Sequence, residues 1–279
     1  MYILFHEKIV KRGEAVIDIE DRGYQFGDGV YEVVRVYNSR PFAMDEHLSR
    51  LQESAEKIKM QLPYPLERLR QLLLELIQTN QVQEGTLYVQ ITRGTAPRNH
   101  SFPKKANPFI VAYTQEVPRP TDYLSKGIRA ITTDDIRWLR CDIKSLNLLG
   151  AVLAKQEAVE NGCQEAILIR EDIVTEGSST NVFAVKDGTL HTHPANHLIL
   201  NGITRRITLE LAKEKEIPVI EKPFTRQELY EAEEVFVTGT TMEISPVIQI
   251  DQQTIGEGKP GSLTRTLQEL FEKRITMNQ

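Results

Sequence analysis

A mixed fold of strands and helices, α/β or α+β and divided into two domains, is what this sequence predicts. Three observations predict it. Strand-like and helix-like segments are interspersed in both halves of the chain, which excludes an all-helical or all-strand protein. At 279 residues the chain is long for a single core. A polar, Pro-rich stretch, TQEVPRPTD at 114–122, interrupts the pattern near its middle. We therefore expect an N-terminal α/β domain over 1–114, a linker over 115–122 and a C-terminal domain over 123–279.

The elements follow in order. Residues 2–5 and 9–10 read as a short hairpin. Val30–Tyr37 is rich in β-formers, and Asn38-Ser39-Arg40 reads as a turn into a second strand. Gly23, Gly27 and Gly29 precede that strand, where close backbone approach or positive φ is expected. They are not a dinucleotide fingerprint, because a strand follows them instead of a helix. Asp45 is placed to cap a helix over 46–60, with Leu48, Leu51, Ala55 and Ile58 on one face. A second helix over 65–79 opens with Pro65 and buries Leu66, Leu69, Leu73, Leu76 and Ile77. Strands follow at 86–93 and 108–114, joined by a loop holding three prolines, Arg98 and His100.

The second half begins with a strand at 127–133. A lysine, Lys144, precedes a helix, a strand and then a loop running from Thr175 to Asn181. Asp187-Gly188 is a hairpin signal. Asn201-Gly202-Ile203-Thr204 leads into an amphipathic helix. Thr225 and Glu228 form a capping-box pattern. A strand over 234–238 ends in Gly239-Thr240-Thr241, and a helix over 263–273 closes the chain.

Composition narrows the function classes. A net charge of −5 without a basic run argues against a nucleic-acid surface. No stretch approaches the ~20 apolar residues of a membrane span, and no targeting segment is evident. Cys141 and Cys163 offer neither a disulfide framework nor ligand spacing, and they fit a reducing, cytoplasmic setting. His191, His193 and His197 lack a carboxylate at ligand spacing, so no metal site is expected.

Several residues have the chemistry to act. Lys144 lies among Ile143, Leu146, Leu148 and Leu149, and an amine kept neutral in such a setting attacks aldehydes and carries protons. Glu176 supplies an anion beside Ser178, Ser179 and Thr180, which offer hydroxyls and amides. Gly202-Ile203-Thr204 at a helix start and Gly239-Thr240-Thr241 at a strand end offer donors for a phosphate. Arg50, on the same helix face as His47, adds a positive charge. Arg98 with His100 is suited to gripping a carboxylate. By themselves these residues support a soluble two-domain protein with an anion site.

Together they resemble a known family. YQFGDGVYE at 24–32, EHLSRL at 46–51, RGTAPRNH at 93–100, DIKSLNLLG around Lys144, EGSSTNVF at 176–183, NGITR at 201–205 and TGTTMEISPV at 238–247 span the chain. The sequence resembles the fold-type IV pyridoxal-phosphate enzymes, which include D-amino acid aminotransferases, branched-chain aminotransferases and aminodeoxychorismate lyase. Pro97-Arg98-x-His100 points to the D-amino acid aminotransferase branch of bacillary type. Thr180 departs from the serine expected there and keeps the hydroxyl. The resemblance implies a two-domain architecture with pyridoxal 5'-phosphate between the domains and a Schiff base on Lys144, the catalytic residue. It implies Glu176 at the ring nitrogen and Leu200 beside the ring. Ser179 and Thr180 would also line the cofactor. Arg50, Ile203, Thr204 and Thr240 would hold the phosphate. Tyr31, Arg98 and His100 would hold the substrate carboxylate, the last two reaching in from the second subunit of a homodimer. The implied reaction is transamination between D-amino acids and 2-oxo acids, D-alanine with 2-oxoglutarate giving pyruvate and D-glutamate. An L-specific branched-chain aminotransferase, an aminodeoxychorismate lyase and a non-catalytic cofactor carrier are the competing readings.

Overall fold

The computed structural model describes residues 1–277, which form two compact units. The first comprises Met1–Arg119 together with the short segment Ile143–Asn147. The second comprises Pro120–Asp142 and the described residues from Leu148 onward.

In the first unit, β1 (Tyr2–Phe5) and β2 (Lys8–Lys11) form the expected hairpin. A one-turn helix, α1 (Arg22–Phe26), leads into β3 (Gly29–Tyr37), which turns through Asn38 and Ser39 into β4 (Arg40–Pro41). Both turn residues have positive φ, 47° and 64°. Next come α2 (Met44–Lys57), α3 (Leu66–Thr79), β5 (Gly85–Thr92) and β6 (Phe109–Glu116). The six strands make one antiparallel sheet, ordered β2-β1-β6-β5-β3-β4. Leu48, Leu51 and Ala55 of α2 and Leu69, Leu73 and Leu76 of α3 bury their apolar stripes against Val34, Val36, Leu87, Val89 and Ile110 of the sheet.

Three local expectations change. The α2 helix begins at Met44 behind Ala43 (φ 52°), so Asp45 is not its cap. Asp45 sits in the first turn with Glu46, where negative charge complements the helix dipole, and it pairs with Arg70 at 3.1 Å. In α3, Leu72 takes the buried position expected of Leu66, which is only half-buried. The expected linker is narrower than 115–122. Gly85 pairs with Glu116, extending β6, and a helix starts at Thr121.

The second unit opens with α4 (Thr121–Lys126) and β7 (Ile128–Asp134). Then follow α5 (Leu149–Glu160), β8 (Glu165–Arg170), β9 (Ile173–Gly177), β10 (Asn181–Lys186) and β11 (Thr189–Thr192). Asp187 and Gly188 join the last two with φ of 49° and 68°, the positive pair that a tight two-residue hairpin requires. After them come α6 (Ile203–Glu214), β12 (Val219–Glu221), α7 (Arg226–Tyr230), β13 (Glu234–Gly239), β14 (Glu243–Ile250), β15 (Gln253–Thr254) and α8 (Ser262–Met277). The sheet is mixed, ordered β12-β11-β10-β13-β14-β7-β8-β9 with β15 on β14. Parallel pairing of β7 with β8 is bridged by α5, whose Ala154 and Ala158 pack on Ala166 and Leu168. The capping box of Thr225 and Glu228 forms as expected at α7. No helix of the described residues is long and apolar enough to cross a membrane.

The lysine segment departs furthest from the expected division. Lys144 was expected in the C-terminal domain, yet Ile143–Asn147 packs with the first unit. The reason is backbone pairing. The Tyr31 amide donates to the Lys144 carbonyl at 3.0 Å, and the Leu146 amide donates to the Gly29 carbonyl at 3.1 Å. Residues 144–146 thereby lie along the edge of β3, with Val30 and Ser145 bridged antiparallel.

Candidate active site

The first unit builds its functional cluster on β3. Gly29 must be glycine, because a Cβ there would lie 2.6 Å from the Ile91 carbonyl oxygen and 2.8 Å from Leu146 Cδ1. Without that close approach the lysine segment could not pair. Lys144 is then held on three sides. Besides its carbonyl bond, its amide donates to Ser54 Oγ at 3.2 Å, and its Nζ stands 4.3 Å from the centre of the Tyr31 ring. A cation over an aromatic face is attracted by the ring quadrupole. Tyr31 in turn stacks on Tyr88 at 5.7 Å, and Tyr88 on Tyr113 at 5.0 Å.

On the opposite face of β3, Glu32 is 0% exposed among apolar neighbours. Its carboxylate contacts His47 Nδ1 at 2.7 Å and accepts from Arg50 Nε at 2.7 Å and Nη2 at 2.9 Å. His47 and Arg50 lie one helical turn apart on α2, so they face the strand together. Burial acts to raise the Glu32 pKa, but the Arg50 charge and then His47 override it and hold the carboxyl far below its usual range. Burial lowers the His47 pKa, and the charges of Arg50 and Lys144 add to this against the pull of Glu32. A carboxylate can only accept, so His47 donates from Nδ1 to Glu32. Arg50, expected at a phosphate, thus has two of its nitrogens engaged by a buried carboxylate that the sequence reading overlooked. A signal was present. Glu32 alternates with Val30, Val34 and Val36 on the core face of a strand, and a charged residue there demands a partner.

Arg98 and His100 are exposed on the loop between β5 and β6. Both lie against the ring of Phe26, Arg98 Cζ at 5.0 Å from its centre and the His100 ring at 5.5 Å.

The second unit builds its cluster around Glu176. This residue lies within β9, not in the loop where it was expected, and it is 6% exposed. One carboxylate oxygen accepts from Arg137 Nη1; the other accepts from Asn181 Nδ2 at 2.9 Å and from the Leu200 amide at 3.0 Å. Arg137 is itself clamped by Asp135, with Nε and Nη2 each 2.9 Å from a carboxylate oxygen. Asp135 is fixed further by Thr175 Oγ1 at 2.9 Å and Arg170 Nη2 at 3.2 Å. Burial raises the Glu176 pKa to about 7, and Arg137 offsets only part of that effect. Asp135 is held below its usual range because Arg137 and Thr175 overcome its burial.

Leu200 is pinned beside this carboxylate by both ends of its peptide. Its amide donates to Glu176, and its carbonyl accepts from Asn181 Nδ2 at 2.8 Å. Asn181 also explains Gly202, where a Cβ would sit 2.2 Å from Asn181 Oδ1. Gly202 is the N-cap residue of α6 and brings no side chain to its first turn, which holds the buried Ile203 and Thr204. Thr240 is half-buried between β13 and β14. The hydroxyls expected near Glu176 are arranged differently. Ser178 Oγ and Thr180 Oγ1 (2.9 Å) both donate to the buried Glu165, while Ser179 between them is exposed.

The charge state of Glu176 makes a stability prediction. A carboxyl whose folded pKa lies above its unfolded 4.5 binds more protons when folded, so stability falls as pH rises from 4.5 to 7. The depressed carboxyls Glu32 and Asp135 titrate below this window. Glu176 should therefore impose a loss of stability across pH 4.5–7 on cofactor-free protein, against the rise that the lowered His47 and His193 contribute there, and in urea melts Glu176→Gln should remove that loss and make the slope more positive. Equal slopes in the two proteins would remove Glu176 as its source.

Known proteins resemble this chain along nearly its whole length. The amino-transferase class IV family matches residues 29–250. The D-alanine aminotransferase of Bacillus licheniformis is 50% identical over 275 residues, 99% of this chain and 97% of that one. The branched-chain amino acid aminotransferase of Escherichia coli superposes with a TM-score of 0.93 at 30% identity, covering 98% of this chain and 93% of that one. The branched-chain amino acid aminotransferase of Thermobaculum terrenum, in its PLP-bound holo form, gives 0.88 at 27%, covering 100% and 94%. On sequence and fold alike, this chain belongs to the class IV amino-transferases.

Proposed function

We propose that the protein is a pyridoxal 5'-phosphate-dependent D-amino acid aminotransferase, converting D-alanine and 2-oxoglutarate to pyruvate and D-glutamate. The observation that carries this reading is full-length identity of 50% to a D-alanine aminotransferase. The residues also fit the cofactor. Glu176 is a buried carboxylate whose burial Arg137 does not fully offset, so a protonated ring nitrogen would complete it. The first turn of α6 has no capping side chain, which suits phosphate oxygens at Ile203 and Thr204. Thr240 and the charge of Arg50 would add to the hold on the phosphate, and Ser179 and Thr180 would line the cofactor.

When bound, the cofactor supplies an electron sink for the pair left as the substrate Cα loses its proton. The chain does the rest. Lys144 Nζ would hold the cofactor through its aldehyde and, once displaced by substrate, would take the Cα proton. Glu176 would keep the ring nitrogen protonated, and Leu200 would line the ring's site. Arg98, His100 and Tyr31 hold the α-carboxylate, fixing which Cα–H bond faces the amine.

The superposition on branched-chain enzymes favours one rival, an L-specific activity. A half-reaction separates the two. Holo-protein is mixed with D-alanine or with L-leucine, without oxo acid, while the visible cofactor band is followed. Bleaching by D-alanine with release of pyruvate is expected. Bleaching by L-leucine alone would overturn the substrate assignment.

We also propose a homodimer located in the cytoplasm. Supporting it, α5 turns Leu149, Val152 and Leu153 to solvent at 72, 56 and 52% exposure, an apolar face unusual on a monomer. Both cysteines are unbridged, in keeping with a reducing compartment. Light scattering should return twice the chain mass; the chain mass itself would refute the dimer.

A further inference from the structure

The loop carrying Arg98 and His100 is tied to α1 by side chains that the reaction itself does not use. Arg22 is 3% exposed, and its Nε donates to Asp28 Oδ2 at 2.7 Å. Its Nη1 donates at 2.6 Å to the carbonyl of Asn99, the residue between Arg98 and His100. Asp28 also accepts from Arg93 Nε on both carboxylate oxygens, and Arg93 is itself buried and bonded to the Ile58 and Lys59 carbonyls. The loop backbone is therefore fixed at its midpoint. The two side chains are not fixed that way. Both extend to solvent from an exposed stretch, and what they share is the ring of Phe26. Arg98 Cζ is 5.0 Å and Arg22 Cζ 4.8 Å from the centre of that ring, and the His100 ring is 5.5 Å from it, tilted by 52°.

We infer that Phe26 is a positioning residue that sets the spacing of Arg98 and His100, and with it the affinity for the substrate carboxylate. The inference rests on the carboxylate role proposed for that pair. An exposed arginine has several rotatable bonds, and binding must stop their motion. A guanidinium already resting on an aromatic face has lost part of that freedom before the ligand arrives. Replacing the ring by an aliphatic side chain returns the freedom without removing any group that touches substrate. The cost should fall on binding and leave the proton transfer alone.

The test is a double-mutant cycle on the holoenzyme, with Phe26→Leu, Phe26→Tyr, Arg98→Ala and the double variant Phe26→Leu/Arg98→Ala. Phe26→Leu should raise KM for D-alanine roughly five-fold, the size of an exposed cation–π contact, with little change in kcat. Phe26→Tyr should restore the native KM. The double variant should lose less than the sum of the two single losses, because the ring acts through the arginine as well as the histidine. If Arg98→Ala raises KM and Phe26→Leu does not, or if the two losses add, the inference is overturned. A KM unmoved by Arg98→Ala would instead overturn the carboxylate role on which it rests, whatever Phe26 does.

Discussion

Lys144→Ala should abolish the visible absorbance of bound cofactor and lower turnover by roughly four orders of magnitude or more, since one substitution removes both the covalent attachment and the proton carrier. The fold should survive it. The backbone bonds to Tyr31 and Ser54 that hold this segment do not involve the side chain, and the first unit's core does not contain it. The measurement is an absorbance spectrum and a steady-state assay on the same preparation, with circular dichroism confirming the fold. Retention of both signals would sink the lysine assignment. Partial rescue of turnover by an added primary amine would show that an amine, and nothing else, was missing.

Arg137→Leu should give the largest loss of stability among single substitutions at the site. Arg137 is the cation between Asp135 and Glu176, two carboxylates with little solvent. Removing one partner of a buried ion pair costs about 3–5 kcal/mol, because the remaining charge stays in a poor medium. Glu176 has a means of relief, which is to take up a proton. In the variant its pKa should move above the value of about 7 found with Arg137 in place, and the cofactor should bind more weakly at neutral pH. Arg137→Lys should recover only part of the loss. A single ammonium cannot reproduce the fork that spans Nη1 on Glu176 and Nε with Nη2 on Asp135. Urea melts and cofactor titration measure the two effects. A variant within about 1 kcal/mol of the native protein would overturn this, showing that Asp135 and Glu176 do not depend on the Arg137 charge.

The site was legible in the sequence where chemistry and local structure coincide. Lys144 ahead of a helix, Gly202 and Thr204 at the start of α6, and the turn after β13 all carry their meaning within a few residues. Glu176 could be singled out as an acid, but its place inside β9 was missed because its hydroxyl-rich neighbours read as a loop. The residues that set its charge were illegible. Arg137 belongs to a connection after β7 whose neighbours Ile136, Trp138 and Leu139 are exposed, and it is drawn inward only because Asp135, Glu176 and the Leu198 carbonyl all converge on it. Glu32 with His47 and Arg50 was half-legible, since a charge on the core face of a strand and two polar residues one turn apart can be noticed, but their mutual distance cannot.

By itself the sequence determined the class of the chain and most of its longer strands and helices, and it singled out the residue types proposed to hold a cofactor and a carboxylate. These follow from periodicity, turn chemistry and motif, which act over a few residues and are written along the chain. Tertiary structure alone decided that Ile143–Asn147 joins the first unit, that Arg50 binds Glu32, and that Arg137 stands guard over Glu176. Each depends on which strand edge is left unpaired or which charge is left without water, and both are settled by partners 18 to more than 100 residues away in the chain.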